Sequence, residues 1–569
     1  SDFSPFYRYQ AGVHPRLFFN EADIADLRDR ITREPYLSMY NRLVANLTDP
    51  DILDHVDTYH ESTYALEKAF LYILTGDDAW AEQARGHVET ILNRESAPWA
   101  DQNLKGLTSY MLGTKVALAY DWCVNAPSWD NTFDFIVSQA LVDMGKMIVE
   151  NGGTEQNSSA ASNWQGSRGA SGGICLLATD HAFDSSLLDG AYGRVSNFLN
   201  QLLPGGANRG WNPEGLGYTY YPFGNFVGPF AIAMARHDSG RDLRDSTSIE
   251  WAYWTIYSTA STALDVFNHG GVKPDWSDDN AHIGGEGTYG QAFYFLPDSL
   301  KPGAKWAYDR LQGAQSRSQR WDAFRSGPIW SILYYPEDLP AVDPTEIWDW
   351  HQASDDSGGL GVFTFRDAYA FGFGDDFLAQ FKVRRYEAGG HNGPDGLGIR
   401  IIGAGVPWVV GGGRNDPGKK MGQATLYPTF PSADTNTNVN TGSIVGAPLI
   451  KPDGGGHAIA EMAINNVMTQ NHKRWFVANY DSASTGADAT YIIAHTSLNG
   501  SYWHLPTYLQ NSISISGNTF TVTGENGAPL KGTVLYPAGA VITSGSMERG
   551  SRYLADPLIQ DNAYINFET

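Results

Sequence analysis

The sequence predicts a multidomain α and β protein, with a helical N-terminal part followed by a C-terminal antiparallel β-sandwich. Three observations predict it. The chain has 569 residues, more than one compact core accommodates, so two or more domains are expected. Apolar residues recur at helical spacing from about Glu21 to Leu333. After about Pro340 the pattern turns to short apolar runs bounded by Gly, Asn, Asp and Pro, which read as strands.

The helical series begins at Ala22-Asp-Ile-Ala-Asp-Leu-Arg-Asp-Arg-Ile31, with Asn20 placed to cap it. Tyr64 to Leu74 and Trp80 to Leu92 follow, separated by a turn that opens at Gly76. Leu107 to Trp122, Phe133 to Val149, Gly172 to Ala178, Leu187 to Leu203, Phe226 to Ala235 and Ile249 to Leu264 continue the series. Many helices with short connections suggest helix hairpins, stacked or closed into a ring. No solenoid-type repeat is evident. The proline-rich stretch Tyr335 to Pro344 reads as a linker, which divides the chain into domains 1–340 and 341–569. Beyond it, Gly359 to Arg366, Phe377 to Val383, Trp475 to Tyr480, Tyr491 to Thr496, Ser512 to Ser516 and Phe520 to Thr523 are expected strands of a sandwich. The triplets at Gly411 and Gly454 read as flexible loop points, and no P-loop or dinucleotide fingerprint occurs in context.

The charge balance excludes one class of partner. With 39 Lys and Arg against 63 Asp and Glu, the formal net charge is −24, so nucleic acid, which needs a basic surface, is not expected. An anionic substrate would have to be held by local arginines. The acidity fits a protein secreted or exported to the periplasm. No apolar run reaches the length of a membrane span, so no membrane partner is expected. Two cysteines, Cys123 and Cys175, fall on separate expected helices and read as two buried thiols, with a single disulfide as the alternative. No Cys/His spacing marks a structural zinc.

Aromatic residues reach 13%, with 17 Trp and 30 Tyr. Flat sugar faces stack on such rings while hydroxyls bond polar groups, so carbohydrate is a fitting ligand class; aromatic-rich cores explain the same numbers. One stretch with crowded aromatics runs from Trp211 to Tyr221. It sets Glu214 four residues before Tyr218, between glycines that bring backbone close. A tyrosine in such a setting suits proton transfer at a sugar oxygen. His269, Asp275, Trp276 and Asp278 form another polar cluster, which reads as a surface loop.

Five pieces in order then resemble one family. His14-Pro-Arg-Leu-Phe-Phe19, Ala119-Tyr-Asp-Trp122, Asn163-Trp-Gln-Gly166 with Gly172-Gly173, Pro213-Glu-Gly-Leu-Gly-Tyr218, and His391-Asn-Gly-Pro-Asp395 followed by Gly405-Val-Pro-Trp-Val-Val410 are similar to segments of the heparinase II/III-like polysaccharide lyases. The resemblance covers most of the chain. It implies an N-terminal α/α toroid (an incomplete barrel), a C-terminal antiparallel β-sandwich, and β-elimination at a uronic acid in an anionic polysaccharide or oligosaccharide.

That chemistry explains the residue types. The C5 proton is poorly acidic while the neighbouring carboxylate is charged, so an amide or cation must neutralise it. A base takes the proton and an acid protonates the leaving O4. By the resemblance, Asn163 falls on the amide position with Gln165 and Trp164 beside it, and Tyr218 on the acid/base tyrosine. Tyr220 and Tyr221 are neighbouring hydroxyls. His391 falls on a sheet-domain histidine that reaches the cleft, and Glu214 orients the tyrosine loop. Arg384 or Arg385 is expected to bind substrate carboxylate, one of them only, because successive strand residues point to opposite faces.

Two departures from the family matter. Gly393 and Gly411 stand where some relatives hold zinc ligands, so no metal and no cofactor is expected; His457 lacks companions. Trp164 and Gln165 stand where some relatives carry a histidine, which leaves Tyr218 to act as both base and acid. Alginate is the favoured substrate. Glycosaminoglycan or glucuronan lyase, uronate C5-epimerase and a non-catalytic sugar-binding protein are the alternatives. A glycoside hydrolase would need two facing carboxylates, and Glu214 has no clear partner.

Overall fold

The computed structural model describes residues 12–48, 58–93, 107–150, 163–202, 221–265, 270–272, 274, 276, 282–283, 289–311, 327–347, 362–372, 374, 376–383, 396–411, 426–427, 441–463, 472–496, 502–548 and 561–568. The helical part opens on a reciprocal cap at Asn20. The Asn20 backbone N–H donates to the Asp23 carboxylate at 2.7 Å, ahead of a single 3-10 turn and α1 (Ile24–Arg30). Next comes α2 (Tyr36–Thr48), which the sequence reading does not contain. Its buried face is a narrow stripe, Tyr36, Met39, Leu43 and Leu47, diluted by polar residues between.

Helix hairpins follow: α3 (Thr58–Thr75) with α4 (Asp78–Asn93), α5 (Leu107–Cys123) with α6 (Asn131–Glu150), and α7 (Asn163–Ala178) with α8 (Ser185–Leu202). A π turn at Phe223–Val227 leads into α9 (Gly228–His237), and α10 (Arg244–Ser261) returns. Helices α3, α5, α7 and α9 are buried almost throughout, whereas α4, α6 and α8 keep an exposed face. The first group is an inner row and the second an outer row, the layering of a toroid.

The inner helices are parallel. Tyr110 and Trp164, near the starts of α5 and α7, meet ring to ring at 6.5 Å. Phe70 and Trp122, near the ends of α3 and α5, meet at 5.2 Å. The glycines of α7 permit this packing. A Cβ on Gly173 would stand 2.2 Å from the Phe230 ring of α9, and one on Gly166 2.5 Å from Phe198 of α8. Cys123 and Cys175 are both free and buried.

At the C-terminal end of the inner row, two of the family-like segments meet in one polar network. Asp121 accepts from His14 Nδ1 at 2.7 Å and from the backbone N–H of Arg16 and Leu17 at 3.0 and 3.1 Å. Asp180, just past α7, pairs with Arg16 at 2.8 Å and with His14 Nε2 at 3.2 Å. Arg16 also donates to the carbonyls of Leu177, Ala178 and Thr179, which closes the C-terminus of α7.

Several sequence expectations are corrected here. The expected helix over Ile249–Leu264 stops at Ser261, and Ala263–Asp265 forms β1, paired with β2 (Gly270–Val272) and β3 (His282–Ile283) in a small antiparallel sheet. The helix expected from Gly172 begins at Asn163, nine residues earlier. Residues 335–344, read as a linker, are held down along their length. Lys305 Nζ donates to the carbonyls of Pro336, Glu337 and Leu339 at 2.9, 3.1 and 2.6 Å, and Val342 N–H donates to Pro302. Proline supplied no donors there, so a buried lysine satisfies the carbonyls instead.

The C-terminal part consists of antiparallel sheets. One contains β4 (Val362–Arg366), β5 (Phe377–Lys382), β6 (Ile399–Gly403) and β7 (Val406–Val409) in sequence order. A two-residue turn joins β6 to β7, with Ala404 and Gly405 both at positive φ, as a tight hairpin requires. Phe363, Phe365, Ala379, Phe381, Ile399 and Ile401 form one face of this sheet. That face packs on Ala458, Phe476, Leu505, Ile565 and Phe567 from the other sheets, which makes the expected sandwich core.

Candidate active site

The inner helices start at one common end of the toroid, so their backbone N–H groups and positive dipole ends point there together. Thr63 and Tyr64 of α3, Tyr110 and Lys115 of α5, Trp164 and Gln165 of α7, and Tyr221 before α9 lie in the opening turns or just beyond. Lys115 Nζ donates to Thr63 Oγ1 at 2.6 Å, which ties α5 to α3. Trp164 is half-buried with its ring edge on Tyr110. The side-chain oxygen of Gln165 accepts from Arg194 of α8 at 3.4 Å. Tyr221 is half-buried against Phe226, and its carbonyl accepts from Asn225 at 3.0 Å. Asn163 is the first residue of α7, and only its backbone is described. Tyr218, Glu214, Tyr220, His391, Arg384, Arg385 and Gly393 lie outside the described residues.

A second polar chain bridges the first hairpin. His87 of α4 donates from Nδ1 to Glu61 at 2.6 Å and accepts at Nε2 from Lys68 at 2.8 Å. This arrangement requires the neutral Nδ1–H tautomer. Burial lowers the His87 pKa in the same sense, against the pull of Glu61.

The sheet domain meets the toroid at this same end. Helix α10 runs back from the far end, where Arg236 of α9 donates to the Arg16 carbonyl at 3.2 Å, and it delivers Thr259, Ser261 and Thr262 to the interface. Arg366 of β4 donates to the carbonyls of Thr259, Ala260 and Thr262 and pairs with Asp376 at 2.7 Å. Gln380 of β5 donates to Ser261 Oγ at 2.7 Å and to Thr364 Oγ1 at 2.9 Å. The indole N–H of Trp276 donates to Gln380 at 2.7 Å.

Trp276 is therefore not on a surface loop, as the sequence suggested, but buried at 2% exposure. His269, Asp275 and Asp278 lie outside the described residues. The only sequence trace of this interface is the alternation of Gln380 and Lys382 with Ala379 and Phe381. It ordinarily marks a solvated sheet face, yet here both faces of β5 are covered.

Strands β5 and β6 continue from this interface. Leu397 N–H donates to the Lys382 carbonyl at 2.9 Å and Lys382 N–H to Gly398 at 3.1 Å, so the two strands are still paired where residues 384–395 leave them. Residues 384–395, which carry His391 in the sequence, lie outside the described residues. Gly411, just after β7, is buried, and His457 of β8 (Gly456–Ala463) stands opposite Leu449 and Val477. Among the described residues no group of His, Cys, Asp or Glu is arranged to hold a metal.

No family model matches the chain, and no curated protein matches its sequence. Solved structures do. A crystal structure of heparinase III aligns with TM-score 0.58 and 13% identity, over 90% of this chain and 74% of that one. A heparan sulfate lyase mutant from Pedobacter heparinus aligns with TM-score 0.50 and 10% identity, over 91% of this chain and 75% of that one. At such identity the likeness is one of fold. The chain shares the fold of heparinase III, an α/α toroid joined to an antiparallel β-sandwich, and the resemblance read in the sequence holds at that level.

Proposed function

We propose that this protein is a polysaccharide lyase that cleaves a uronic-acid-containing polymer by β-elimination. The observation that carries the reading is the convergence at one end of the toroid. The opening turn of α7, with Trp164 and Gln165, and Tyr221 ahead of the π turn lie there, and α10 ends there on β4 and β5 of the sheet domain. Each adjoins one of the segments that resemble the lyase family. The parallel helix starts supply a local positive potential that offsets a net charge of −24 for an anionic chain.

In this reading the Asn163 amide donates to the uronate carboxylate as negative charge moves onto it. The C5 proton leaves to a base, its electron pair forms the C4–C5 double bond, and the C4–O4 bond breaks. Tyr218 protonates O4 and, with Trp164 and Gln165 in place of a histidine, also serves as the base. His391 enters from the sheet hairpin, and Arg385 binds carboxylate. Alginate is the substrate favoured by the sequence. The names of the structural neighbours favour heparan sulfate as strongly, so both belong in the test.

The test is ultraviolet absorbance from the unsaturated product, measured on alginate, heparan sulfate, chondroitin sulfate and glucuronan. Absorbance on one polymer fixes the substrate class. Retained binding with no absorbance on any of them would replace the lyase by a sugar-binding protein. Exchange of the C5 proton without absorbance would replace it by an epimerase.

A further inference from the structure

Trp276 joins the two domains at the base of the β5–β6 hairpin. The indole reaches the sheet from the β1–β3 region of the helical part, donates to Gln380 at 2.7 Å and is buried. Arg400 of β6 lies over the same ring, its guanidinium carbon 4.0 Å from the centroid, and the Lys382 ammonium is 5.3 Å away. Gln380 and Arg400 are register partners across the two strands, and Lys382 is the next residue on that face. One ring therefore touches both strands of the hairpin within a few residues of where 384–395 depart. Gln380 carries the contact onward, to Ser261 at the end of α10.

We propose that Trp276 is a positioning residue that fixes the paired ends of β5 and β6, at Lys382 and Leu397, against the toroid, and that the role proposed for His391, carried in the sequence between those ends, depends on it. The inference rests on the lyase reading for His391 and adds the element that holds it. The physical basis is geometric. The hydrogen bond sets the height of β5, the cation–π contact sets β6, and both act on a residue anchored in the other domain. A loop that presents a reacting group needs such a base, because a displacement of about 1 Å can cost 100-fold in rate.

The experiment pairs hydrogen exchange with kinetics. Trp276→Phe keeps a ring over Arg400 but loses the N–H donor; Gln380→Met removes the acceptor from the other side and stands in if the first variant fails to fold. The expected result is at least tenfold faster exchange at the backbone amides of Lys382 and Leu397, with α5 and α7 protected as in the parent protein. Turnover should fall about tenfold with KM little changed, on whichever polymer the parent protein cleaves. Unchanged exchange at Lys382 and Leu397 in both variants overturns the proposal. Faster exchange with full turnover also overturns it, provided His391→Ala is inactive. If His391→Ala itself keeps full turnover, the role of His391 fails, and exchange alone then decides whether Trp276 holds the hairpin.

Discussion

Asp121→Asn separates holding the toroid together from doing chemistry. Asp121 is buried and accepts from His14, Arg16 and Leu17 at 2.7, 3.0 and 3.1 Å. Asparagine keeps the shape but turns an NH2 group toward donors and removes the buried anion to which His14 and the backbone N–H groups of Arg16 and Leu17 donate. Removing one partner of a buried pair costs about 3–5 kcal/mol. At about 1.4 kcal/mol per power of ten, that predicts roughly 100- to 4,000-fold faster hydrogen exchange in α5 and α7 where exchange follows opening of the helical domain. Turnover per folded molecule should be unchanged, because Asp121 lies about 16 Å along α5 from Tyr110 at the candidate site.

The pH dependence follows the same network. Burial alone would lower the His14 pKa, but hydrogen bonds to Asp121 and Asp180 outweigh it and the folded value is raised. Its contribution to stability is fully present below about pH 6.5 and is lost as pH rises through the folded value. Burial would raise Asp180, but His14 and Arg16 outweigh that and hold it well below the usual carboxylate range. Its contribution is present above about pH 4 and is lost as pH falls through the folded value. The network therefore stabilises most between about pH 4 and 6.5, and Asp121→Asn should flatten the alkaline side. Exchange within threefold of the parent in α5 and α7 would refute the energetic argument. Lost turnover at full stability would move Asp121 into the catalytic machinery.

The remaining predictions concern the proposed reaction. Tyr218→Phe should fold normally and lose roughly 100-fold or more in turnover, the scale of a missing acid–base group; full activity, with the loss appearing in Tyr220→Phe or Tyr221→Phe, transfers the role to the neighbour. Asn163→Ala should lower kcat far more than it raises KM, since the amide bonds most strongly as charge develops; a change in KM alone makes Asn163 a ground-state binder. His391→Ala should be nearly inactive while EDTA does little, because Gly393 and Gly411 stand where some members of the resembled family hold zinc ligands. Activity lost to chelator and restored by added metal would send the search for ligands to His457, Asp395 and Asp416.

The order of the fold was legible because periodicity reports which face of an element is buried. It failed where burial has no single face. Helix α2 was missed because its buried stripe is four residues wide-spaced along thirteen. The start of α7 was missed because glycine and serine, poor helix formers, fill it; Gly166 against Phe198 and Gly169 against Ala191 and Arg194 leave no room for a side chain there. Trp276 was misread because neighbouring acidic residues look solvated in sequence, whereas its partners Gln380 and Arg400 lie over a hundred residues away. The family-like segments divide by location. His14-Pro-Arg and Tyr120-Asp-Trp close the far end of the toroid, while Asn163-Trp-Gln opens the near end, a distinction that only the packing reveals.

Arg366 carries a last consequence. This strand residue occupies the carbonyls at the end of α10, so the final turn of a toroid helix is completed by the other domain. Residues of the toroid and of β4 are thus parts of one another's termination. Grafting a sandwich from a distant relative onto this toroid would strip the helix of its cap unless the graft brought a guanidinium to the same place. The boundary that composition draws near residue 340 is consequently a poor cutting point for modular exchange. A junction that conserves the pairing of Arg366 with Asp376 and the end of α10 is the one that would transfer intact.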